Sequence, residues 1–116
     1  MTDRNPISEV SMEELAKTNK PALLELLSKG VFDMNGADAA TVAEVAGKLL
    51  SSEEAVPGLI AILQKHPRPM AREGAILGLY FHSNFEGVTE ALWSAALNDT
   101  CDEVKEAAQE MISHTL

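Results

Sequence analysis

The chain has 116 residues and a formal net charge of −9, and 46% of its residues are hydrophobic. This length is typical of one domain, and the hydrophobic content argues against disorder, because a disordered chain lacks the apolar side chains that build a core. The acidic balance weighs against nucleic-acid binding, since phosphate contacts require clustered Lys and Arg. The single cysteine excludes an internal disulfide and is typical of a reducing compartment.

We expect neither a signal peptide nor a membrane span. Residues 1–10 are predicted to form a loose arm, and they contain no apolar run behind their charges. The longest nearly apolar run, residues 55–63, is interrupted by Pro57 and Gly58 and has about half the length that a membrane crossing needs. The sequence therefore predicts a soluble cytoplasmic protein.

Four helices are predicted in the N-terminal half of the chain. Ser11, with a glutamate three residues later, forms a capping-box pattern that predicts the start of the first helix. The second is expected to begin at Lys20, because the proline that follows it is well tolerated in a first turn. Asp38 is a favourable N-cap for the third helix, and Ser51 or Ser52 is predicted to cap the fourth.

Three more helices are predicted after a proline-rich turn. The fifth is expected over residues 70–82, where Gly74 and Gly78 each cost about 1 kcal/mol of helix propensity and are expected to permit close approach of a neighbouring helix. The sixth is expected over residues 86–98, and Thr100 begins a second capping-box pattern at the start of the seventh. No segment alternates apolar and polar residues, so no strand is predicted.

A six-residue pattern occurs twice, about 33 residues apart. Met-Ala-Arg-Glu-Gly-Ala at residues 70–75 reappears as Glu-Val-Lys-Glu-Ala-Ala at residues 103–108. Each copy contains a small apolar residue, a base, a glutamate, a small residue and an alanine, in that order. A period of this size built from two helical stretches indicates a stack of helix pairs, an architecture that usually presents a binding surface.

These residues resemble HEAT-type repeats, which are antiparallel helix pairs that stack into a right-handed solenoid. Residues 56–60 resemble the proline-then-leucine opening of the family's first helix, while Ala71-Arg72 and Val104-Lys105 resemble the Val-Arg or Val-Lys pair that opens its second helix. Asp99 lies where the family often places an aspartate in the turn within a pair. Residues 42–46 resemble a third, degenerate copy that lacks the base.

The resemblance implies an all-α fold of about seven helices in a single domain over residues 1–116, with the two clearest repeats in residues 53–116. The first clear copy departs from the family because its turn, residues 67–69, is proline-rich and contains no aspartate. The second copy has Thr89 where a proline is typical. An irregular helical bundle is the alternative architecture.

The sequence contains no catalytic, metal-binding or cofactor-binding pattern. Cys101 lies among acidic residues, which disfavour a thiolate. His66, His82 and His114 are too far apart to form a local metal pair, and we expect helix-end or surface roles for them. We therefore predict no catalytic residue, no metal site and no cofactor.

The candidate binding residues follow from the resemblance, because the second helices of such pairs line the inner face of the array. The residues expected on the open side of these helices are Arg72, Glu73, Ile76, Tyr80, Lys105, Glu106 and Gln109. Together they would rim a shallow groove that recognises a protein or a peptide. In the alternative interpretation, Arg72 and Lys105 form local ion pairs and contact turn carbonyls.

Two further features have two interpretations each. The basic cluster consists of Lys65, His66, Arg68 and Arg72. It is expected to be a solvated loop, with head-to-tail self-association through the acidic C-terminal half as the alternative. The aromatic side chains of Tyr80, Phe81 and Trp93 are expected to fill gaps as core or half-buried residues, with anchoring of a partner as the alternative.

The sequence thus predicts a non-catalytic scaffold or adaptor that binds a protein or peptide. A basic partner is one option, and an acidic inhibitor or immunity protein that neutralises a basic toxin is the first alternative. An enzyme similar to HEAT-like DNA-repair proteins or bilin lyases is the second alternative, which the acidic balance and the lack of a tetrapyrrole site disfavour. Neither nucleic acid nor a membrane is an expected partner, and the sequence leaves monomer and homodimer open.

Overall fold

The computed structural model describes residues 8–115, and every regular element in that span is helical. The seven α-helices are α1 (Glu9–Thr18), α2 (Lys20–Ser28), α3 (Gly36–Leu49), α4 (Ser52–Lys65), α5 (Pro69–Leu79), α6 (Val88–Asn98) and α7 (Asp102–Thr115). Short 3-10 segments, Gly30–Asp33 and Tyr80–His82, follow α2 and α5. The predicted all-α class is confirmed, and no strand occurs within residues 8–115.

The helices form two layers. Helices α1, α3, α5 and α7 pack side by side in one layer, and α2, α4 and α6 pack side by side in the other. Consecutive helices α4 and α5, or α6 and α7, therefore belong to different layers and form the pairs that the repeat predicts. The array is elongated, with extents of 43 × 28 × 20 Å.

Helix α1 begins earlier than the sequence pattern predicts. Ser8 is its N-cap, with the Ser8 hydroxyl accepting the Ser11 backbone N–H at 3.1 Å. Ser11 is therefore the third helical residue, and its own hydroxyl reaches back to the Ser8 backbone N–H at 3.3 Å. The predicted arm over residues 1–10 is too long at its C-terminal end, and residues 1–7 lie outside the described part of the chain.

The starts of α3, α4 and α7 show which of two neighbouring polar residues is the N-cap of each helix. Asn35, rather than Asp38, caps α3, because the Asn35 side-chain oxygen accepts the Asp38 backbone N–H at 2.8 Å. The prediction for α4 is confirmed by Ser51, which forms a reciprocal capping box with Glu54. Helix α7 begins at Asp102, so Thr100 lies two residues before it and is not its N-cap.

The core is built from small and medium apolar side chains of both layers. The fully buried large side chains include Leu23, Leu27, Leu59, Ile62, Ile76, Leu79 and Leu92. Alanines and valines fill the spaces between them, and four residues of α6 (Val88, Leu92, Ala95 and Ala96) are all buried. Small side chains allow the helix axes to approach closely, which suits a thin two-layer array.

The closest approach lies between α3 and α5, where backbone meets backbone. A methyl group added at Gly47 would lie 2.4 Å from the Gly78 Cα atom, and one added at Gly74 would lie 2.5 Å from the Ala40 Cα atom. Both distances are shorter than real carbon contacts, so only glycine fits at these crossings. The predicted role of Gly74 and Gly78 in close helix packing is confirmed.

Candidate functional site

Helices α3, α5 and α7 form an open groove of about 560 Å³ on the inner face of the array, which is the face of their layer that points away from α2, α4 and α6. The residues that line it are Glu44, Val45, Lys48, Glu73, Ile76, Leu77, Tyr80, Phe81, Ala107, Glu110, Met111 and His114. They come from α3, α5, the 3-10 segment after α5, and α7, so the second helix of each stacked pair contributes one wall. A groove of this volume accommodates a few side chains of a ligand.

The floor of the groove exposes large apolar side chains to solvent. Leu77 is 49% exposed, Tyr80 51% and Phe81 54%, and the two aromatic rings contact each other edge to face at 5.5 Å. Tyr80 and Phe81 follow the buried end of α5 and are about half-buried, which agrees with the half-buried form of the expectation, but neither side chain belongs to the buried core. Contiguous exposed apolar groups of this kind mark interaction sites.

Charged side chains are distributed unevenly along the groove. Positions 44, 77 and 110 are related by the 33-residue spacing, and Glu44, Leu77 and Glu110 all line the groove. Glu73 lies one helical turn towards the start of α5, and Lys48 and His114 lie one turn towards the ends of α3 and α7. The groove therefore carries carboxylates at its beginning and middle, and Lys48 supplies a cation at its far end.

Arg72 does not lie on the open side, contrary to the expectation for the inner face. Its side chain is 10% exposed and forms a double hydrogen bond with Asp99, from Nε to Oδ2 at 2.9 Å and from Nη2 to Oδ1 at 3.0 Å. Its third contact, from Nη1 to the carbonyl oxygen of His66 at 2.8 Å, closes the α4–α5 turn. The alternative interpretation, a local ion pair with a turn carbonyl contact, describes Arg72 correctly.

Ile76 lines the groove but is almost fully buried, and Gln109 lies outside the lining of the groove. Ile76 is 1% exposed and contributes to the groove only through its edge, and the Gln109 side chain donates to the Ala96 carbonyl of α6 at 3.3 Å. Position 76 corresponds to position 109 in the 33-residue spacing, as Arg72 corresponds to Lys105. On α5 these positions face the next helix pair, which explains why they are buried there.

Of the seven candidate residues, Glu73, Ile76 and Tyr80 line the groove, whereas Lys105 and Glu106 lie outside it. The lining residues that the sequence analysis does not place at a binding surface are Glu44, Val45, Lys48, Leu77, Ala107, Glu110, Met111 and His114, whereas Phe81 is named there as an alternative anchor of a partner. The repeat indicates these lining positions, because residues 44, 77 and 110, and likewise residues 48, 81 and 114, follow the same 33-residue spacing. The predicted positions differ from the lining positions by about one residue along each helix, so the predicted face is rotated about the helix axis relative to the groove.

His66 and His82 serve the fold. The His66 ring accepts the Arg68 backbone N–H at Nδ1 (3.1 Å) and donates from Nε2 to the Val31 carbonyl (2.8 Å). The His82 ring is likewise bonded at both nitrogens, to a serine hydroxyl of α4 and to a backbone carbonyl of α3, each at 2.7 Å. The predicted solvated basic cluster is therefore wrong for His66 and Arg72, which are buried, and holds for Lys65 and Arg68, which are exposed.

Cys101 has no catalytic partner within the described residues. Its thiol donates to the Glu103 carboxylate at 3.1 Å, and this hydrogen bond, followed by one from the Glu103 backbone N–H, holds the pKa of Glu103 below its ordinary value. Within residues 8–115 no group of His, Cys, Asp or Glu side chains has an arrangement that would hold a metal ion. In the same span no helix is long and apolar enough to cross a membrane.

The two-layer stack with its open inner face defines a helical-repeat solenoid. A comparison with protein families matches residues 15–113 to HEAT repeats. The chain therefore belongs to the HEAT-repeat family, as the resemblance in its sequence predicts. Comparisons with curated proteins and with solved structures gave no match.

Proposed function

We propose that this protein is a non-catalytic binding module whose groove between α3, α5 and α7 holds a segment of a partner protein. HEAT repeats commonly mediate protein–protein interaction, which supports the general class. The observation that carries the proposal is the exposed apolar floor formed by Leu77, Tyr80 and Phe81. Large apolar side chains that are exposed side by side mark an interaction site, because a partner that covers them removes them from water. Aromatic anchors dominate the binding energy of such interfaces.

The groove is preferred over the outer layer because its apolar side chains converge. On α6, Trp93 is 45% exposed and Leu97 66%, but they lie outside the lining of the groove. A concave site surrounds a ligand side chain on several sides, whereas two side chains on a convex helix contact it on one side only. Substitutions in the groove and substitutions on α6 are therefore expected to affect capture of a partner differently.

Capture of a partner by matched variants tests the proposal. The groove variant combines Leu77→Gln with Phe81→Gln, and the control variant combines Trp93→Gln with Leu97→Gln, so each removes two exposed apolar side chains. A photo-crosslinking residue at position 80, compared with one at position 93, identifies the covered surface. We expect the groove variant to weaken capture at least about tenfold, since a buried anchor contributes about 2 kcal/mol or more.

The control variant should retain capture, and crosslinks should form from position 80. Crosslinks from position 93 alone, or loss of capture in the control variant with retention in the groove variant, would contradict the assignment to the groove. Circular dichroism spectra and unfolding midpoints of both variants verify that the fold is unchanged.

A further inference from the structure

Building on the proposed function, we infer that the occupant of the groove is an amphipathic helix with Lys or Arg beside its apolar stripe. The inference concerns the chemistry of the partner segment. It depends on two features of the groove: the hydrogen bonding of its walls and the placement of its charges.

The walls favour a helical occupant. All three are helices, whose backbone N–H and C=O groups in the middle of the groove are already bonded within the same helix. An extended peptide would find no backbone partners on these walls, and its own polar groups would lose water without compensation. A helix satisfies its own backbone groups and can place an apolar stripe over Leu77, Tyr80 and Phe81.

The charges favour a basic segment. Glu73 of α5 and Glu110 of α7 line the groove from adjacent helices, and neither carboxylate forms an ion pair with another residue in the span 8–115. Glu44 adds a third carboxylate on the α3 side. Cations carried beside the apolar stripe would lie near these carboxylates at the rim, where they remain partly hydrated and need no costly desolvation.

Lys48, at the far end of the groove, restricts where those cations bind. Lys48 lies one helical turn beyond Glu44 on α3 and lines the same groove as Phe81. The Lys48 ammonium repels a Lys or Arg of the occupant, so we expect the cations of the occupant to lie near the carboxylates that precede Lys48 in the groove. The protein's net charge of −9 attracts any cation, and only the local arrangement gives a preferred site.

Synthetic helical peptides test the inference by fluorescence anisotropy. The probe is a labelled 18-residue peptide with Leu at helical spacing and Lys on both sides of the Leu stripe. Two comparison peptides replace every Lys by Glu or by Gln, and a fourth scrambles the order of the first. The protein variants are Glu73→Gln with Glu110→Gln in the groove, and Glu53→Gln with Glu90→Gln on the outer helices as a control with the same change in net charge.

We expect the Lys peptide to bind most tightly, and its affinity to fall about 3- to 10-fold in the groove variant at low salt but by less than about twofold in the control variant. Equal losses in both variants, or equal binding of the scrambled peptide, would show attraction to net charge alone and overturn the inference. Tightest binding by the Gln peptide, lost on Leu77→Gln with Phe81→Gln, would refute the basic occupant while leaving the groove as a binding site. Failure of all four peptides to bind would refute the helical occupant, whereas the capture experiment tests the groove independently.

Discussion

At the scale of single residues, the Arg72–Asp99 pair joins two helix pairs. The Arg72 guanidinium lies on α5, and the Asp99 carboxylate lies in the α6–α7 turn and also accepts the Cys101 backbone N–H at 2.9 Å. Both side chains are at most 10% exposed. A charge buried in this way depends on its partner, because an unpaired ion away from water carries a desolvation cost of several kcal/mol.

Asp99→Ala is therefore expected to lower the free energy of unfolding by about 3–5 kcal/mol. The loss is large because the Arg72 guanidinium would remain buried without its counter-ion. Urea unfolding followed by circular dichroism measures the change. Asp102→Ala, an exposed acid in the first turn of α7, serves as the control and should cost about 0.5 kcal/mol.

A double variant distinguishes the loss of the whole ion pair from the burial of one charge without its partner. Arg72→Met combined with Asp99→Leu removes both charges, and it should recover most of the stability that Asp99→Ala loses. A loss in Asp99→Ala no larger than that in Asp102→Ala would show that water compensates Arg72, and would contradict the structural role given to the pair.

At the scale of the helices, the α3–α5 crossing restricts its residues most tightly. A Cβ atom at Gly78 would lie 2.6 Å from the Ala43 carbonyl oxygen, which belongs to the backbone of α3 and cannot rotate away. Alanine raises helix propensity by about 1 kcal/mol, but the two helices would have to separate to admit it.

Gly78→Ala is expected to lower the free energy of unfolding by about 1–3 kcal/mol despite the gain in propensity. Thermal and urea unfolding measure the effect. Gly30→Ala is the matched control, since its added methyl would contact a terminal methyl of the Leu26 side chain at 2.9 Å, which can move. Its cost should stay near 0.5 kcal/mol. A neutral or stabilising Gly78→Ala would show that the crossing is looser than described.

The start of α4 is sensitive to pH through Glu54. The Lys20 ammonium donates to the Glu54 carboxylate at 3.0 Å and, with the backbone N–H and hydroxyl of Ser51, holds the pKa of Glu54 below its ordinary value of 4.5. Because the unfolded chain takes up this proton first, the contribution of Glu54 to stability is complete above about pH 4.5. It is lost as pH falls through the lower pKa of the folded state.

We expect Glu54→Gln to be less stable than the parent protein at pH 7, and the difference to shrink below pH 4.5. Urea unfolding at several pH values between 3 and 7 measures this difference. Glu53→Gln removes the neighbouring charge in the same helical turn and leaves the Lys20 contact in place. A difference for Glu54→Gln that does not change with pH would contradict the role of this carboxylate.

The helices themselves could largely be predicted from the sequence, whereas several of their first residues could not. Apolar spacing and the prolines located all seven α-helices, because burial of one helical face dominates over local detail. Caps were wrong where two polar residues lie three apart, as with Ser8 and Ser11 or Asn35 and Asp38. In those cases both residues belong to the cap, and the pattern alone does not tell which one begins the helix.

At the scale of the whole molecule, the repeat predicted the stacking order but not the binding face. The 33-residue spacing correctly pairs Arg72 with Lys105, yet it does not say which side of the helix faces a neighbouring pair. Position 72 is buried on α5 because the α6–α7 pair packs against it, whereas no described helix follows α7 to cover the equivalent Lys105. A side-chain position in a solenoid is therefore interior or exposed according to its place in the stack.

The location of the single tryptophan decides which optical signals can be used. Trp93 belongs to α6, in the layer opposite the groove, and its indole ring is already 45% exposed. A ligand that binds over Tyr80 does not change the surroundings of the Trp93 indole ring. Intrinsic emission will therefore report melting of the last helix pair and remain unchanged on ligand arrival, so an occupancy titration requires a dye on the ligand.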